Sequence, residues 1–112
     1  MSEHSARAPL FVDSLALAEW LLAKFDTAPG RLARNLSDTV LELLQVITLA
    51  LKDRRREAHV ELADELLIRL RALLRLAVEC GRLTHEQYGH VLERVDAIGR
   101  QLGGWRRKLG PV

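Results

Sequence analysis

The sequence is poor in the residues that stabilise disulfide-bonded, irregular or membrane-spanning proteins. Its 112 residues include one cysteine and three prolines, and only 4% of them are aromatic. The lone Cys80 cannot form an internal disulfide, so nothing indicates an oxidising compartment. No segment approaches the roughly 20 consecutive apolar residues that span a bilayer, and residues 1–11 lack the apolar run of a signal peptide. We therefore expect a soluble, cytoplasmic protein with no membrane partner.

The charge of the chain is small overall but unevenly distributed. The formal net charge is +2, which by itself does not indicate a nucleic-acid target. Residues 1–51 contain four Lys/Arg and six Asp/Glu, whereas residues 52–112 contain thirteen and nine. The second half of the chain therefore carries whatever surface attracts an acidic partner.

Aliphatic residues dominate the composition, which favours an all-α protein, and the length suffices for one domain. We predict helices over about residues 13–26, 31–52, 57–80 and 84–109. Asp13 or Ser14 would cap the first helix, and a capping box begins the fourth at Thr84. The short links favour an antiparallel up-down-up-down four-helix bundle over residues 12–109, preceded by a flexible tail over residues 1–11.

The third predicted helix has two distinct faces. At about 100° per residue, one broad face collects the apolar residues expected in the core: Ala63, Leu66, Leu70, Leu73, Leu74 and Ala77. Arg71, Arg75 and, one turn beyond the helix, Arg82 fall within about 40° of one another on the opposite side. This stripe is either a phosphate-binding surface or a solvated face balanced by Asp64 and Glu79, and the spacing alone favours neither.

The helices carry more apolar surface than the core of a single bundle can bury. Leu41 and Leu49 point away from the seam of the second helix, and Ile68 and Val78 lie near the cationic side of the third. Apolar residues outside the core indicate a second packing surface. We therefore expect the bundle to assemble into a ring-like homo-oligomer.

The fourth predicted helix contains glycines where a strong helix would not need them. Gly99 faces inward, so the backbone of a neighbouring helix could come close. Gly103 and Gly104 weaken the helix by very roughly 1 kcal/mol each relative to alanine, which indicates a close contact with a neighbouring helix or partner. Arg100 and Arg107, seven residues apart, lie together on its outer face.

The patterns that support catalysis or metal binding are missing. His85 and His90 are five residues apart and therefore about 140° apart on a helix, whereas the zinc motif H-E-x-x-H requires about 40°. The Glu-x-x-His pairs of di-iron bundles do not occur. Cys80 has no CxxC partner and is expected to be a buried spacer rather than a nucleophile. We expect no enzymatic activity, no metal and no cofactor.

A run of cations, Lys52-Asp-Arg-Arg-Arg, joins the second and third helices. Three consecutive arginines can touch phosphate groups, but such runs more often form solvated links at helix ends. We interpret this segment as a solvated link, with phosphate contact as the alternative.

Three segments carry more specific information than periodicity does. The fourth helix contains Ala97-Ile-Gly-Arg-Gln-Leu-Gly-Gly-Trp-Arg-Arg-Lys, the preceding turn is Leu83-Thr-His-Glu-Gln-Tyr, and leucines alternate with arginines over residues 66–77. These segments resemble the I-G-x-x-L-G-G-W ending, the L-[ST]-x-x-Q-Y turn and the third helix of the accessory variability determinant (Avd) proteins of diversity-generating retroelements. The resemblance covers about residues 13–109.

The resemblance implies a four-helix bundle that forms a barrel-like homopentamer and accompanies a reverse transcriptase copying a template RNA with errors at adenines. It implies that the protein binds the reverse transcriptase and the retroelement RNA through a basic surface. On this chain we assign that surface to Arg71, Arg75, Arg82, Arg100 and Arg107. We assign contacts with other subunits or partners to Leu41, Leu49, Ile68, Val78, Gly103, Gly104 and Trp105.

A second interpretation is a purely structural homo-oligomer or adaptor, within the wider group of small bacterial bundles that includes proteins encoded by ribosomal-RNA intervening sequences. It predicts a stable ring without measurable RNA affinity at moderate salt. Salt-dependent RNA binding that is lost together with the arginines would favour the Avd-like interpretation instead.

Overall fold

Four α-helices make up most of residues 8–109, the part of the chain that the computed structural model describes. They are α1 (Pro9–Phe25), α2 (Arg31–Leu51), α3 (Arg56–Glu79) and α4 (His85–Leu109). No strand occurs within these residues, so the predicted all-α class is confirmed. The bounds of α2, α3 and α4 agree with the sequence prediction to within about one residue.

The first helix begins at Pro9, four or five residues before the cap predicted at Asp13 or Ser14. Proline is well suited to the first turn of a helix because its fixed φ is already helical and its missing N–H would have no partner there. Leu10 is only 2% exposed, so burial stabilises this extra turn. Ser14 lies inside the helix, where its hydroxyl donates to the Leu10 carbonyl at 2.6 Å. The first seven residues of the predicted tail lie outside the described residues.

Two helices end in the same hydrogen-bonded turn, a Schellman motif. After α3, Arg82 N donates to the Ala77 carbonyl and Gly81 N to the Val78 carbonyl. Gly81 adopts φ 74°, the left-handed conformation that glycine reaches at little cost. After α2 the corresponding left-handed residue is Asp53, at φ 61°. The predicted capping box of α4 is confirmed: Thr84 and Gln87 exchange hydrogen bonds at 3.0 Å.

One hydrophobic core lies between the four helices. Each helix packs against the next along the chain, and α1 also packs against α4. The predicted core face of α3 is confirmed, since all its members are buried except the partly buried Leu73. Leu67, which that prediction omitted, is also fully buried. Trp20 is partly buried and packs beside the core.

Cys80 corrects one expectation from the sequence, because its side chain is exposed rather than buried. Helix α3 ends at Glu79, and Cys80 is the residue that caps its C-terminus. Gly81, at φ 74°, ends the helix directly after it, and residues 80–82 form an exposed turn that leaves the thiol accessible.

Among the described residues, no helix is long and apolar enough to cross a membrane.

Candidate nucleic-acid interface

A surface groove runs between α3 and α4 and has a volume of about 530 Å³. Five charged residues and two glycines line it: Asp64, Arg71, Asp96, Gly99, Arg100, Gly103 and Arg107. We call it the arginine groove. Three of the five arginines predicted to bind RNA therefore lie around one concave surface. Its floor is low because glycines at positions 99 and 103, one helical turn apart, have no side chains there.

Arg71 is fixed across the arginine groove by an ion pair with a carboxylate on the opposite helix. Its Nη2 donates to Asp96 Oδ1 at 3.1 Å, and the two side chains are 39% and 47% exposed. Because both groups remain partly solvated, the pair holds Arg71 in position more than it stabilises the fold. One face of the guanidinium remains available to another anion.

Gly99 provides the space that Arg71 occupies. A Cβ built at position 99 would lie 3.1 Å from Arg71 Nη2 and 3.8 Å from a methyl carbon of Leu67. The sequence led us to expect a neighbouring backbone at this glycine, and the neighbour is instead a guanidinium. The correction has a simple cause: a long side chain on α3 can reach across to α4 and fill the space that the missing side chain of Gly99 leaves.

Gly103 and Gly104 do not mark a close helix contact within the protomer. Within residues 8–109, the only group near a Cβ at either position is the guanidinium of Arg107, at 3.7 and 3.8 Å, which lies on the same helix. The alternative, that these glycines face a partner, stays a prediction. Among residues 8–109, neither Arg100 nor Arg107 takes part in an ion pair, so both guanidiniums are available at this end of the arginine groove.

The three arginines of the predicted stripe lie in different places in the folded chain. Arg75 Nε donates to Glu79 Oε2 on its own helix at 3.1 Å and lies outside the arginine groove. Arg82 follows the end of α3, and its Nη2 donates to the Pro29 carbonyl at 3.3 Å, linking two turns of the bundle. The helical repeat predicts the direction of a side chain only within the helix. Because α3 ends at Glu79, the angle calculated for Arg82 does not apply. Only Arg71 of the three lies in the groove.

The sequence indicated Asp64 and Glu79 as carboxylates that balance the arginine stripe, and Glu79 does pair with Arg75, but Asp96 and Glu61 were missed. Arg106 bridges to two residues of α3, with Nη1 3.1 Å from Asp64 Oδ2 and Nη2 3.4 Å from Glu61 Oε1. Asp96 precedes Arg100 by four residues, so its position on the same face of α4 could have been read from the sequence. Its pairing with Arg71 could not, because that depends on how far one helix is shifted along the other.

The arrangement of guanidinium groups in the arginine groove can hold an anion. Guanidinium groups donate several hydrogen bonds in a planar fork that matches phosphate and carboxylate oxygens. No aromatic residue lines the arginine groove, so it lacks a platform for stacking bases. Within the part of the chain that the structure describes, no cluster of three or more His, Cys, Asp or Glu could hold a metal ion.

A protein-family model described as bAvd-like matches residues 17–109 of the chain. The chain belongs to the bAvd-like family. The match includes α2, α3 and α4 completely and α1 from Leu17 onward, and it confirms the resemblance to Avd proteins seen in the sequence. No curated protein and no solved structure matches the chain.

The G-G-W segment that helped to identify this bAvd-like chain holds one end of the bundle together. Trp105 is partly buried and packs against the core. The guanidinium carbon of Arg56, in the first turn of α3, lies 4.7 Å from the centroid of the Trp105 ring. This cation–π contact fixes the start of α3 to the last turns of α4.

The residues predicted to contact other subunits fall into two groups in the bAvd-like bundle. Leu41, Leu49 and Ile68 are 37%, 43% and 59% exposed, which is high for large apolar side chains. Val78, like Trp105, is partly buried against its own core. The first group is accessible for contact with another subunit, whereas much of the second already has an intramolecular role.

Proposed function

We propose that this bAvd-like protein is a non-enzymatic cytoplasmic accessory protein of a diversity-generating retroelement. In this role it binds the reverse transcriptase and the template RNA through its basic surface and supports mutagenic reverse transcription. The observation that carries the proposal is the arginine groove, which brings Arg71, Arg100 and Arg107 together around a floor of glycines in a chain of this family.

The chemistry of the arginine groove fits a phosphate backbone better than individual bases. Three guanidiniums can replace condensed counterions around successive phosphates, and the release of those counterions supplies most of the binding free energy. Because the groove lacks aromatic side chains, recognition would depend on the shape and phosphate positions of the RNA. Asp64 and Asp96 lower the net positive charge of the groove, so a single protomer would bind weakly.

Assembly would convert this weak site into a strong one. The proposal includes a ring of five subunits, each an up-down-up-down bundle, which repeats the arginine groove around the ring and raises the overall affinity through avidity. The exposed side chains of Leu41, Leu49 and Ile68 support subunit contacts. Contacts between α1 and α4, which close the bundle, support the up-down order of the helices.

One observation favours a second candidate, a structural homo-oligomer or adaptor without nucleic-acid binding. Two arginines near the groove are already paired with carboxylates, Arg71 with Asp96 and Arg106 with Asp64 and Glu61. If these pairs neutralise the surface, the protein would form the same ring and show no RNA affinity at moderate salt.

The experiment is a titration of a fluorescently labelled structured RNA against wild-type protein and an Arg100→Gln/Arg107→Gln variant. These two arginines are chosen because neither supports the fold through an ion pair within residues 8–109. Losing two phosphate contacts should reduce the slope of log affinity against log salt by about 1.4 to 1.8 and weaken binding on the order of tenfold. Arg31→Gln/Arg34→Gln, which removes two exposed charges from the start of α2, is the matched control.

Wild-type protein that shows no affinity for RNA would reject the proposal in favour of the structural adaptor. An Arg100/Arg107 variant that binds as tightly as the control would show that the arginine groove is the wrong surface. The partner protein requires a separate test, in which a reverse transcriptase from the same retroelement is co-purified with wild-type protein. A gene neighbourhood with a reverse transcriptase and an adenine-differing repeat pair would support the assignment independently.

A further inference from the structure

The cationic loop between α2 and α3 lies at the same end of the bundle as the last turns of α4. The contact between Arg56 and Trp105 joins the two segments. We call residues 52–56 together with Arg106–Lys108 the basic end. It contains seven Lys/Arg and one Asp, although the whole chain has a net charge of only +2. The antiparallel order expected from the short links also places these two runs of cations at the same end.

The loop in the basic end is held in one conformation by several hydrogen bonds. Asp53 N and Arg54 N donate to the Ala50 and Leu49 carbonyls at 3.0 and 3.1 Å, and these bonds close the turn after α2. Arg56 Nε donates to the same Ala50 carbonyl at 3.0 Å. The ring of His59, in the first turns of α3, contacts the Arg54 carbonyl. The loop is therefore preorganised.

This conformation is unfavourable for the residues that adopt it. Asp53 and Arg55 have φ angles of 61° and 45°, in the left-handed region that favours glycine. Two residues other than glycine in this region within one short loop indicate that the surrounding contacts impose the geometry. Unfavourable backbone conformations of this kind concentrate at binding sites, where they present a side chain in a required direction.

Some cations of the basic end have partners and others do not. Arg56 lies 3.4 Å from Asp53 and stacks on Trp105, and Arg106 pairs with two carboxylates of α3. Arg54 and Arg55 are exposed, and neither takes part in an ion pair among residues 8–109. The paired arginines thus support the structure, while Arg54 and Arg55 present their charge to solvent.

We propose that Arg54 and Arg55 form a second phosphate-binding site, which contacts the same RNA that occupies the arginine groove. This inference rests on the proposed function and extends it from one groove to a path over the surface. Position 71 is sixteen residues from position 55, or about 24 Å along α3 at 1.5 Å per residue. Arg107 belongs to both the groove and the basic end, so it connects the two sites.

The chemistry of the basic end favours RNA over a protein partner. Protein interfaces concentrate their binding energy in a few Trp, Tyr and Arg side chains that fill desolvated pockets, so arginines without an available aromatic neighbour give a protein partner little to anchor on. The exposed residues of the loop, from Lys52 to Arg55, are all charged, and Trp105 is already covered by Arg56. Cations at fixed positions are what a phosphate backbone requires, and they are insensitive to base sequence.

The test compares Arg54→Gln/Arg55→Gln with the wild type, with Arg100→Gln/Arg107→Gln and with the combination of both pairs. Each variant is titrated with a fluorescein-labelled RNA hairpin in about 50 to about 200 mM potassium chloride. Arg31→Gln/Arg34→Gln is the control, because it removes two exposed charges from the opposite end of α2. Circular dichroism and the melting temperature verify that each variant folds.

We expect the loop variant to reduce the salt slope by about 1.4 to 1.8 and the affinity on the order of tenfold, with the losses adding in the combined variant. A loop variant that matches the control, while the groove variant loses affinity, would overturn the inference and leave the proposed function intact. A loop variant that binds RNA normally but fails to co-purify with reverse transcriptase would also overturn it. Absence of RNA binding by wild-type protein would reject the proposed function itself.

Discussion

The surface of the α1–α2 pair differs from that of the α3–α4 pair, although both pairs pack on one core. A groove of about 540 Å³ on the α1–α2 side is lined by Phe11, Leu44, Gln45, Thr48 and Leu49, none of them charged. The arginine groove on the α3–α4 side has nearly the same volume, about 530 Å³, and five of its seven lining residues are charged.

The comparison shows that the core and the surface of this bundle meet separate requirements. Packing fixes the inward positions on every helix, and those positions are filled mainly by leucine, isoleucine, valine and alanine, together with Phe25, Ser14 and Ser37. The outward positions are not constrained by the fold, so one side can be apolar and the other cationic. We interpret the first as the side that meets another subunit and the second as the side that meets RNA.

The largest expected effect separates core from surface on a single helix. Leu70 is fully buried, and Leu70→Ala should lower the free energy of unfolding by about 2 to 5 kcal/mol because it leaves a cavity. Ile68 is 59% exposed, and Ile68→Ala should change the stability of the dilute protein by no more than about 0.5 kcal/mol. Urea denaturation monitored by circular dichroism measures both.

The same Ile68→Ala variant also tests the proposed assembly. If Ile68 lies between subunits, its loss should weaken the oligomer when native mass is measured by light scattering at increasing protein concentration. A variant with unchanged native mass and unchanged stability would show that Ile68 is solvated in the assembled protein as well.

The next effect tests whether the apolar groove on the α1–α2 side is a subunit contact. Leu49→Glu should weaken each contact by about 2 kcal/mol or more, because an apolar side chain is lost and a carboxylate would have to be desolvated. Light scattering should then report a smaller native mass. Asn35→Glu adds the same charge at an exposed position of the same helix and should leave the native mass unchanged. Equal native masses for both variants would place the contact elsewhere.

The smallest effect compares glycines within the arginine groove. A methyl group at position 103 or 104 would meet the Arg107 guanidinium at an ordinary van der Waals distance of 3.7 or 3.8 Å, so Gly103→Ala and Gly104→Ala should each stabilise α4 by about 0.5 to 1 kcal/mol. Gly99→Ala should stabilise α4 by less, because the new Cβ would lie 3.1 Å from Arg71 Nη2 and displace the guanidinium. Thermal denaturation of the three variants measures these differences.

The same three glycine variants can also be compared by their affinity for RNA. Gly99→Ala should weaken RNA binding in proportion to the displacement of Arg71, even though the fold is retained. If Gly103→Ala or Gly104→Ala instead reduces the native mass or co-purification with reverse transcriptase, these glycines face a partner, as the sequence predicts. A gain in stability without either change would contradict that prediction.

Much of the fold could be predicted because it depends on local properties of the chain. The capping box at Thr84 and the helix stop at Gly81 use hydrogen bonds between residues close in sequence. The core face of α3 follows from the helical repeat alone. The start of α1 was missed because the burial of Leu10, rather than a capping side chain, stabilises its first turn.

Less of the candidate site could be predicted, because it depends on contacts between helices. Periodicity placed Arg71 and Arg75 on one face, yet Arg75 pairs along its own helix and Arg71 pairs across to Asp96. It grouped Arg82 with them, although the chain has left the helix by that point and Arg82 contacts Pro29. The prediction that a backbone lies beside Gly99 was also wrong, because a helical angle shows only that a position faces inward and not which group it meets.

The sequence by itself determined the helical class, the core positions and the family, because helix periodicity, capping signals and the G-G-W segment are local features. Only the tertiary structure decided which cations share a surface, namely Arg71 with Arg100 and Arg107 in the arginine groove, and which cation covers Trp105 in the basic end, namely Arg56. The physical reason is that these groupings depend on the axial shift and rotation of one helix against another. Those two quantities are set by the packing of the whole core.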